Sequence, residues 1–206
     1  MLGCLKMDTL SWVRMLLQNI SFTYAQLEVA ARWFNEDKVL GRGAFGTVYE
    51  VEMSNGQIME IVAIKRLDIS MLAEQADRHF RIEMVIGRTR HKNFVRLLGY
   101  CHDGVNRLLV YKYMSNGSLA DKLSMSVKQL SWNERMEIAR NIARGLVYLH
   151  EEYEPQITHC DIKPRNILID EDGCAKISDF GLAKLLNDVQ TNTSTEKRGT
   201  NGYIAP

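Results

Sequence analysis

Three closely spaced glycines give the first chemical indication in this chain of 206 residues. Gly41, Gly43 and Gly46 lie in the stretch GRGAFGTVYEV with the spacing G-x-G-x-x-G. Because glycine lacks a Cβ, backbone built from it can approach a phosphate group closely. Two unrelated architectures use this spacing: the glycines lead directly into a helix of a dinucleotide fold, or they connect two strands over nucleotide phosphates. Taken alone, the glycines fit a tight hairpin turn equally well.

The residues after Gly46 predict a strand and not a helix. Residues 47–51, TVYEV, roughly alternate polar and apolar side chains and consist largely of β-formers. A second β-branched run, IVAIKRL at 61–67, follows an SNG turn at 54–56. The pattern therefore favours glycines between two strands over the dinucleotide fold.

The elements that would position these glycines change character along the chain. The first half predicts a short helix capped by Thr23, strands within 39–67, a helix over 72–90 and two strands, FVRLLGY and RLLVYKYM. The residues expected to face a core are Phe22, Leu27, Ala30, Ala31 and Phe34 in the first helix, and Phe80, Ile82, Met84, Val85 and Ile86 in the second.

The second half is predicted to be helical. Ser118 is a candidate N-cap, and Ser131 with Glu134 forms a capping box ahead of the stretch RMEIARNIARGLVYLH. The residues that recur there at helical spacing are Met136, Ala139, Ala143, Leu146 and His150. A strand-rich first half and a helical second half indicate two lobes.

Composition excludes several classes of protein. With 46% hydrophobic and 25% charged residues, the chain is typical of a globular protein. Its formal net charge of +1 predicts no strong attraction to nucleic acid or anionic lipid, so we expect no nucleic-acid partner. The four cysteines, at 4, 101, 160 and 174, lack CxxC spacing and indicate reduced thiols without a zinc site or disulfide framework.

The sequence also predicts no membrane segment in this chain. Its apolar runs are far shorter than the roughly 18 to 20 residues that span a bilayer. Lys6 and Arg14 interrupt the apolar core that a signal peptide would need. We therefore expect a cytoplasmic location.

Further motifs follow the glycines in a specific order. They are VAIK ending at Lys65, HCDIKPRNILID at 159–170 and ISDFGLAK at 177–184. This series resembles the protein-kinase signature set. The stretches SFTYAQLEVAARWF, VIGRTRHKNFVRLLGYC and LLVYKYMSNGSLADKL resemble plant receptor-like serine/threonine kinases of the lectin-type, S-domain subgroup.

The resemblance covers about residues 21–206 and implies an α+β, bilobal protein-kinase-like fold. The implied organisation is an N-terminal extension with a short helix at 1–34 and a β-rich kinase N-lobe at 35–114. An incomplete α-helical C-lobe would occupy 115–206 and end in the activation segment. If the chain belongs to a longer receptor-like kinase, its location would be the cytosolic face of the plasma membrane.

The resemblance also implies catalytic roles. Phosphoryl transfer passes through a loose transition state, so the site must mainly position groups and neutralise charge. Lys65 would pair with the α- and β-phosphates of ATP, held by Glu83, with Glu74 as the alternative carboxylate on the same segment. Asp161 would accept the proton of the attacking hydroxyl, and Lys163 would neutralise the γ-phosphate.

Metal and acceptor follow from the same match. Asn166 and Asp179 would hold Mg²⁺ against the β- and γ-phosphates. A lysine at 163, in DIKPRN, resembles serine/threonine kinases and differs from the pattern of tyrosine kinases. The expected partner is thus a protein substrate with serine or threonine.

The implied nucleotide-binding residues come from both halves of the chain. They are Gly41, Arg42, Gly43, Ala44, Gly46, Val48, Ala63, Lys65, Tyr111, Tyr113, Met114, Asn166, Leu168 and Asp179. Tyr111 occupies the gatekeeper position, before the hinge. Lys112 replaces a more usual glutamate, which should matter little where the backbone makes the contact.

One departure from the family pattern lies beside the catalytic aspartate. Cys160 stands where many kinases carry an arginine that pairs with a phosphate on the activation segment. We therefore expect that phosphorylation of Thr191, Thr193, Ser194 or Thr195 is not required through this contact.

The second departure concerns the end of the sequence, GTNGYIAP. The glutamate and later helices expected in the family do not follow, so one side of the helix at 133–151 should be exposed and phosphotransfer weak. Two functions stay open. One is an ATP- and Mg²⁺-dependent serine/threonine kinase; the other is a pseudokinase-like module that binds ATP or a partner and associates with another kinase.

Overall fold

The computed structural model describes residues 20–54, 59–124, 129–186 and 199–204. The chain divides into two compact units. The first runs to Arg88 and includes Arg96–Tyr113, and the second comprises Thr89–Val95 and the chain from Met114 onward. The first is built on a large sheet, whereas the second contains helices and short strand pairs, so the α+β fold class is confirmed.

A six-stranded sheet forms the frame of the first unit. Its strands are β1 (Ile20–Ser21), β2 (Val39–Gly43), β3 (Gly46–Ser54), β4 (Met59–Leu67), β5 (Leu97–Asp103) and β6 (Asn106–Lys112). Their order is β1-β5-β6-β4-β3-β2, and only the β1–β5 pair is parallel. The strands predicted in 39–67 and around 94–114 are confirmed; part of the SNG turn lies outside the described residues.

A short helix covers one face of this sheet. Helix α1 (Tyr24–Ala30) begins after Thr23, whose side chain caps the helix in a capping box with Gln26. All five predicted core residues of this segment are buried, packed with side chains such as Val51 and Ile64. The predicted helix and its buried face are confirmed.

Helix α2 (Ala73–Gly87) packs on the other face of this sheet, opposite α1. Its Phe80 and Met84 form a cluster with Leu67 and Leu109. Since side chains alternate along a strand, Leu67 and Lys65 share this face while Ile64 faces α1. Val85 is exposed, so its predicted core position is wrong.

The reason for the error at Val85 is the position of the helix stripe. The buried positions 76, 80, 83, 84 and 87 follow helical spacing, and that stripe leaves position 85 outside. Ile82 is only partly buried, and Ile86 is buried as predicted.

The second unit contains helices α3 (Leu119–Ser124) and α4 (Trp132–Val147), the latter continued by a π-helical turn at Tyr148–Glu152. Both predicted caps are present: the backbone N–H of Asp121 donates to Ser118 Oγ, and Ser131 forms a capping box with Glu134. Short strands complete the unit. They are β7 (Ile157–Thr158), β8 (Ile167–Ile169), β9 (Ala175–Ile177) and β10 (Lys184–Leu185), paired as β8–β9 and β7–β10.

The residues that recur at helical spacing do not form the buried face of α4, and one side of this helix is exposed as expected. Met136, Ala139, Ala143 and His150 are exposed and Leu146 is partly buried. The buried positions are instead Ile138, Asn141 and Gly145 in α4, and Leu149 in the π-helical turn.

Polar and small residues explain this difference. A Cβ added at Gly145 would lie 2.8 Å from Ile177 Cδ1 and 3.2 Å from Phe94 Cε1, so a larger residue would require these side chains to shift. Asn141 Oδ1 accepts a hydrogen bond of 2.5 Å from buried Asn93. The packed face of α4 thus contains glycine and asparagine, which a search for apolar periodicity does not detect.

Within the residues that the structure describes, no helix has the length and apolar character needed to cross a membrane.

Candidate active site

The glycine-rich hairpin contains glycines of two kinds. Strands β2 and β3 pair through Gly43 and Gly46, with a two-residue turn between them. At Gly46, φ is +151°, and an added Cβ would lie 2.1 Å from the carbonyl oxygen of Arg66. At Gly41 and Gly43 an added Cβ would meet nothing within 4 Å. A tight packed turn therefore accounts for Gly46 but not for the other two.

Two non-glycine residues of the hairpin, Arg42 and Ala44, are exposed. The guanidinium of Arg42 pairs with Glu36 and also donates to Thr47 Oγ1 at 3.4 Å. Ala44 lies in the turn and is exposed as well. Phe45, the other residue of the turn, is partly buried, and its ring packs edge-on against His79 with centroids 4.5 Å apart.

Lys65 is buried in β4, with 7% of its surface exposed. Its Nζ donates to Oε1 of Glu83, which lies in α2 and is 1% exposed. Glu74 is exposed near the start of the same helix. The structure thus brings Glu83, and not the alternative Glu74, to Lys65.

Tyr111 adds a partner that sequence analysis missed. Its hydroxyl donates to Oε2 of Glu83, so both oxygens of this buried carboxylate are bound. Strand register places Tyr111 across from Ala63, and Val48 across from Lys65. Val48, Ala63 and Tyr111 therefore lie on the same sheet face as Lys65. No local signal in the sequence indicates the Tyr111–Glu83 hydrogen bond, because the partners lie on different elements.

The segment after β6 contains the remaining predicted hinge residues. Tyr113 is partly buried at the end of the first unit, and burial raises the pKa of its hydroxyl, with the carboxylate of Glu50 adding to the effect. Glu50 itself is bound by Lys38 Nζ at 2.8 Å, which lowers its pKa. Met114 is buried and begins the second unit.

The second unit gathers three polar side chains around Asp161. Lys163 Nζ lies 2.8 Å from Asp161 Oδ2, and Asn166 Nδ2 donates to the same oxygen at 2.9 Å. Thr200 Oγ1 donates to Asp161 Oδ1 at 2.7 Å and accepts from Lys163 at 2.7 Å. Burial alone would raise the pKa of Asp161, but these hydrogen bonds and the charge of Lys163 outweigh it and lower the pKa. Asp161 is therefore a carboxylate at neutral pH.

Thr200 was not identified from the sequence. It is 39 residues from Asp161, and no spacing rule connects the two. Its position in the stretch GTNGYIAP is the only feature of the sequence that draws attention to Thr200.

A buried histidine fixes the backbone beside this carboxylate. His159 Nδ1 accepts from the backbone N–H of Asp161 at 3.2 Å, and His159 Nε2 lies 3.1 Å from the carbonyl oxygen of Ser178. Burial lowers the pKa of His159. The ring is thus neutral, with its proton on Nε2, and connects the Asp161 segment to the segment that contains Asp179.

Asn166 and Asp179 supply oxygen donors of the kind that magnesium prefers. The side chain of Asn166 donates through Nδ2 to the backbone oxygen and to the carboxylate of Asp161, which leaves its Oδ1 available as a ligand. The backbone N–H of Ser178 donates to Asn166 O at 2.9 Å, so the residue before Asp179 is tied to Asn166. Asp179 has φ of +63° and is partly exposed. These residues fit a divalent cation completed by phosphate oxygens and water.

Two predicted positions need separate mention. Leu168 is partly buried in β8. Cys160, with φ of +64°, directs its thiol towards Thr158 O at 3.5 Å, so it offers no cation at the position of the usual arginine. The proposed phosphorylation positions 191, 193, 194 and 195 lie outside the described residues, as does the final Ala205–Pro206 pair.

The comparisons with known proteins agree with this geometry. The protein kinase domain family matches residues 34–206. The chain therefore belongs to the protein kinase domain family, and the predicted resemblance is confirmed.

Similar proteins are plant receptor-like kinases. The G-type lectin S-receptor-like serine/threonine-protein kinase LECRK4 of Oryza sativa subsp. indica is 50% identical over 90% of this chain. LECRK1 of Oryza sativa subsp. japonica is 49% identical and RLK1 of Arabidopsis thaliana 50% identical, each over 90% of this chain. The chain spans 22% of the length of each of these relatives.

Proposed function

We propose that this chain acts as a protein serine/threonine kinase that transfers the γ-phosphoryl group of ATP to a serine or threonine hydroxyl. The observation that carries this proposal is the network of Asp161, Lys163, Asn166 and Thr200, in which a buried carboxylate is kept ionised by three donors. Such a group can accept a proton while adjacent cations neutralise transferred charge.

The chemistry follows from the roles of these groups. The substrate hydroxyl oxygen forms a bond to the γ-phosphorus, and the bond from that phosphorus to the β–γ bridging oxygen breaks. The hydroxyl proton passes to Asp161, and Lys163 neutralises charge on the transferred group. The leaving group is ADP. The transfer requires no reactant other than ATP and the substrate hydroxyl.

Lys65 would bind the α- and β-phosphates, oriented by Glu83. A charged lysine that is almost fully buried requires a bound carboxylate, and Glu83 supplies it. The open space at Gly41 and Gly43 would admit the phosphates to the backbone. Val48, Ala63, Tyr111 and Leu168 would contact the adenine, with backbone from the hinge.

Asn166 and Asp179 would hold Mg²⁺. When bound, the cation would supply charge neutralisation for the β- and γ-phosphates.

The partner and location are also proposals. By similarity to the receptor-like kinases, the substrate would be a protein with exposed serine or threonine. As part of a longer receptor-like kinase, the chain would act on the cytosolic face of the plasma membrane. The upstream process would be receptor-like signalling.

One assay tests the catalytic role. Purified chain is incubated with γ-labelled ATP, Mg²⁺ and a generic serine/threonine substrate, beside Asp161→Asn and Asp179→Ala variants. We expect label on serine or threonine with the unmodified chain and a loss of at least a hundredfold in the variants. Label at the level of the variants, with ATP binding retained, would favour the pseudokinase-like module instead.

A further inference from the structure

A second candidate site lies on the outer surface of α4. An open groove of about 400 Å³ is formed between the segment His91–Lys92 and the helix. On the helix side it is lined by Arg140, Ala143, Arg144, Val147 and, in the following turn, Glu152. None of these residues belongs to the set proposed for nucleotide binding or phosphoryl transfer.

The lining is predominantly cationic. Lys92, Arg140 and Arg144 face the groove, against a single lining carboxylate, Glu152. The side chains of Arg140 and Arg144 are 61% and 52% exposed, and both lie near Glu137 at 3.3 and 3.7 Å. Ion pairs this exposed are weak, so both guanidinium groups can exchange Glu137 for the carboxylates of a ligand.

The remainder of the groove is apolar and well ordered by contacts. Ala143 and Val147 are exposed on the helix side. The ring of His91 stacks on Tyr148 with centroids 4.7 Å apart, and its Nδ1 accepts from the backbone N–H of Asn93 at 3.2 Å. Lys176 Nζ donates to the carbonyl oxygen of Lys92 at 2.6 Å. These contacts fix the wall opposite the arginines.

A groove with an apolar floor and cations at its edge fits a peptide more closely than other anions. A continuous phosphate backbone would meet the carboxylates of Glu137 and Glu152, and the net charge of +1 gives no general attraction to nucleic acid. An aliphatic side chain flanked by carboxylates complements both features. Charged groups arranged this way provide specificity at interfaces.

We propose that this groove binds a short acidic segment of a partner protein. An aliphatic side chain of the segment packs against Ala143 and Val147, and its carboxylates bind Arg140 and Arg144. The surface is a docking site and makes no use of the catalytic residues. It therefore stands independently of the proposed kinase activity.

Fluorescence anisotropy tests the proposal on the full chain. The probe is a fluorescein-labelled peptide, GDELEDG, compared with its neutral analogue GNQLQNG and with GDEGEDG, which lacks the aliphatic side chain. We expect saturable binding of the first peptide, at least about tenfold weaker binding of both analogues, and weakening as salt is raised.

Matched variants locate the binding. Arg140→Glu combined with Arg144→Glu should weaken binding at least about tenfold, and Glu137→Gln should strengthen it by releasing both arginines. Lys122→Glu, a single reversal of a lysine on α3 outside the groove, should leave the affinity within about twofold. Thermal melting followed by circular dichroism checks that each variant is folded. If the double variant is unstable, Glu137→Gln still tests the proposal, because it keeps both arginines.

Several results would overturn the proposal. The first is binding of the acidic peptide that does not saturate at millimolar concentrations of the chain. The others are equal affinity for the neutral analogue and an equal loss of affinity in Lys122→Glu. Equal affinity for oligodeoxythymidine or for phosphatidylserine vesicles would identify a general anion surface and also reject it. Phosphotransfer to a generic substrate without the acidic segment should be unchanged in the Arg140 and Arg144 double variant, which separates this test from that of the catalytic role.

Discussion

Individual carboxylates in this chain are bound by more donors than their motifs indicate. Glu83 binds Lys65 through one oxygen and Tyr111 through the other. Removing a donor from a buried carboxylate costs more than a neutral hydrogen bond contributes. The gatekeeper tyrosine thus has a positioning role towards Glu83 in addition to its place on the nucleotide face.

Replacing the gatekeeper hydroxyl tests that role. We expect Tyr111→Phe to lower the free energy of unfolding by about 2 kcal/mol, because Glu83 Oε2 loses its donor in a buried environment. Urea unfolding measures the change. Tyr100→Phe, which alters a neighbouring tyrosine of the same cluster, should stay within about 0.5 kcal/mol. Equal effects of the two changes would contradict the role of the hydroxyl.

Thr200 affects the protonation of Asp161. The pKa of Asp161 is lowered in the folded chain, so ionisation of this group stabilises the fold above the ordinary aspartate pKa of 3.8. That contribution is lost as pH falls through the lowered, folded value. Removing the hydroxyl of Thr200 should therefore raise the pKa and move the loss to higher pH.

The pH dependence of kcat/KM checks this prediction. In Thr200→Val the acidic limb should shift to higher pH, while Thr200→Ser, which keeps the hydroxyl, should follow the unmodified chain. A uniform decrease without a shift of the limb would mean that Thr200 acts only through structure.

At the scale of elements, the glycines of the glycine-rich hairpin have different roles. Gly46 is required by packing, whereas Gly41 and Gly43 border open space. Gly46→Ala should reduce the free energy of unfolding by at least about 2 kcal/mol, since its Cβ would collide with the carbonyl of Arg66. Gly43→Ala should change stability by no more than about 0.5 kcal/mol. The same change should weaken ATP binding by roughly tenfold, because a Cβ would occupy space that phosphates need.

Chemical denaturation and ATP titration of the two glycine variants give both quantities. If Gly43→Ala proved as destabilising as Gly46→Ala, or bound ATP normally, the open space at Gly43 would have no functional meaning.

The connection after α1 is strained. Arg32, Trp33 and Phe34 have φ values of 49°, 56° and 55°, a conformation that costs ordinary side chains roughly 1–2 kcal/mol each. Phe34 is buried, whereas Trp33 is 70% exposed and contributes little packing to offset the cost. Asparagine tolerates this conformation.

Trp33→Asn should therefore raise the free energy of unfolding by about 1 kcal/mol. The control is Trp132→Asn, at an equally exposed tryptophan that begins α4 in a helical conformation, for which we expect no gain. Thermal and urea unfolding of both variants measure the difference. A loss of stability in Trp33→Asn would show that the indole makes contacts that outweigh the strain.

Helices α2 and α4 show what the sequence could and could not predict about the elements. Helical periods located both helices, and the Ser131–Glu134 capping box also marked the start of α4, because these signals are local. Periodicity placed Val85 towards a core, and the helical period through Met136 did not mark the buried face of α4, because the buried face depends on what packs against each helix. The buried face of α4 contains Gly145 and Asn141, whose contacts with distant segments form only in the folded chain.

For the whole molecule, the order of motifs was the most informative signal. It identified the family and selected Glu83 over Glu74, a choice that helical spacing alone does not make. The contact of Thr200 with Asp161 and the hydrogen bond from Tyr111 to Glu83 were not predicted, because the partners are distant in sequence. Motifs report residue types at fixed spacing, whereas these contacts depend on how separate segments fold together.

Ligand-linked stability tests whether residues from both units serve one nucleotide. A ligand at about 100 times its Kd stabilises a folded chain by about 2.7 kcal/mol, which for this length raises Tm by roughly 5 to 10 °C. We expect that rise with ATP and Mg²⁺, and its loss in Lys65→Ala. In Asp179→Ala only the part that requires Mg²⁺ should disappear, as measured by comparing Mg²⁺ with EDTA. Lys122→Ala, which changes a lysine outside the proposed site, should retain the full rise. A full rise in Lys65→Ala would show that ATP binds elsewhere on the chain and would remove Lys65 from the nucleotide site.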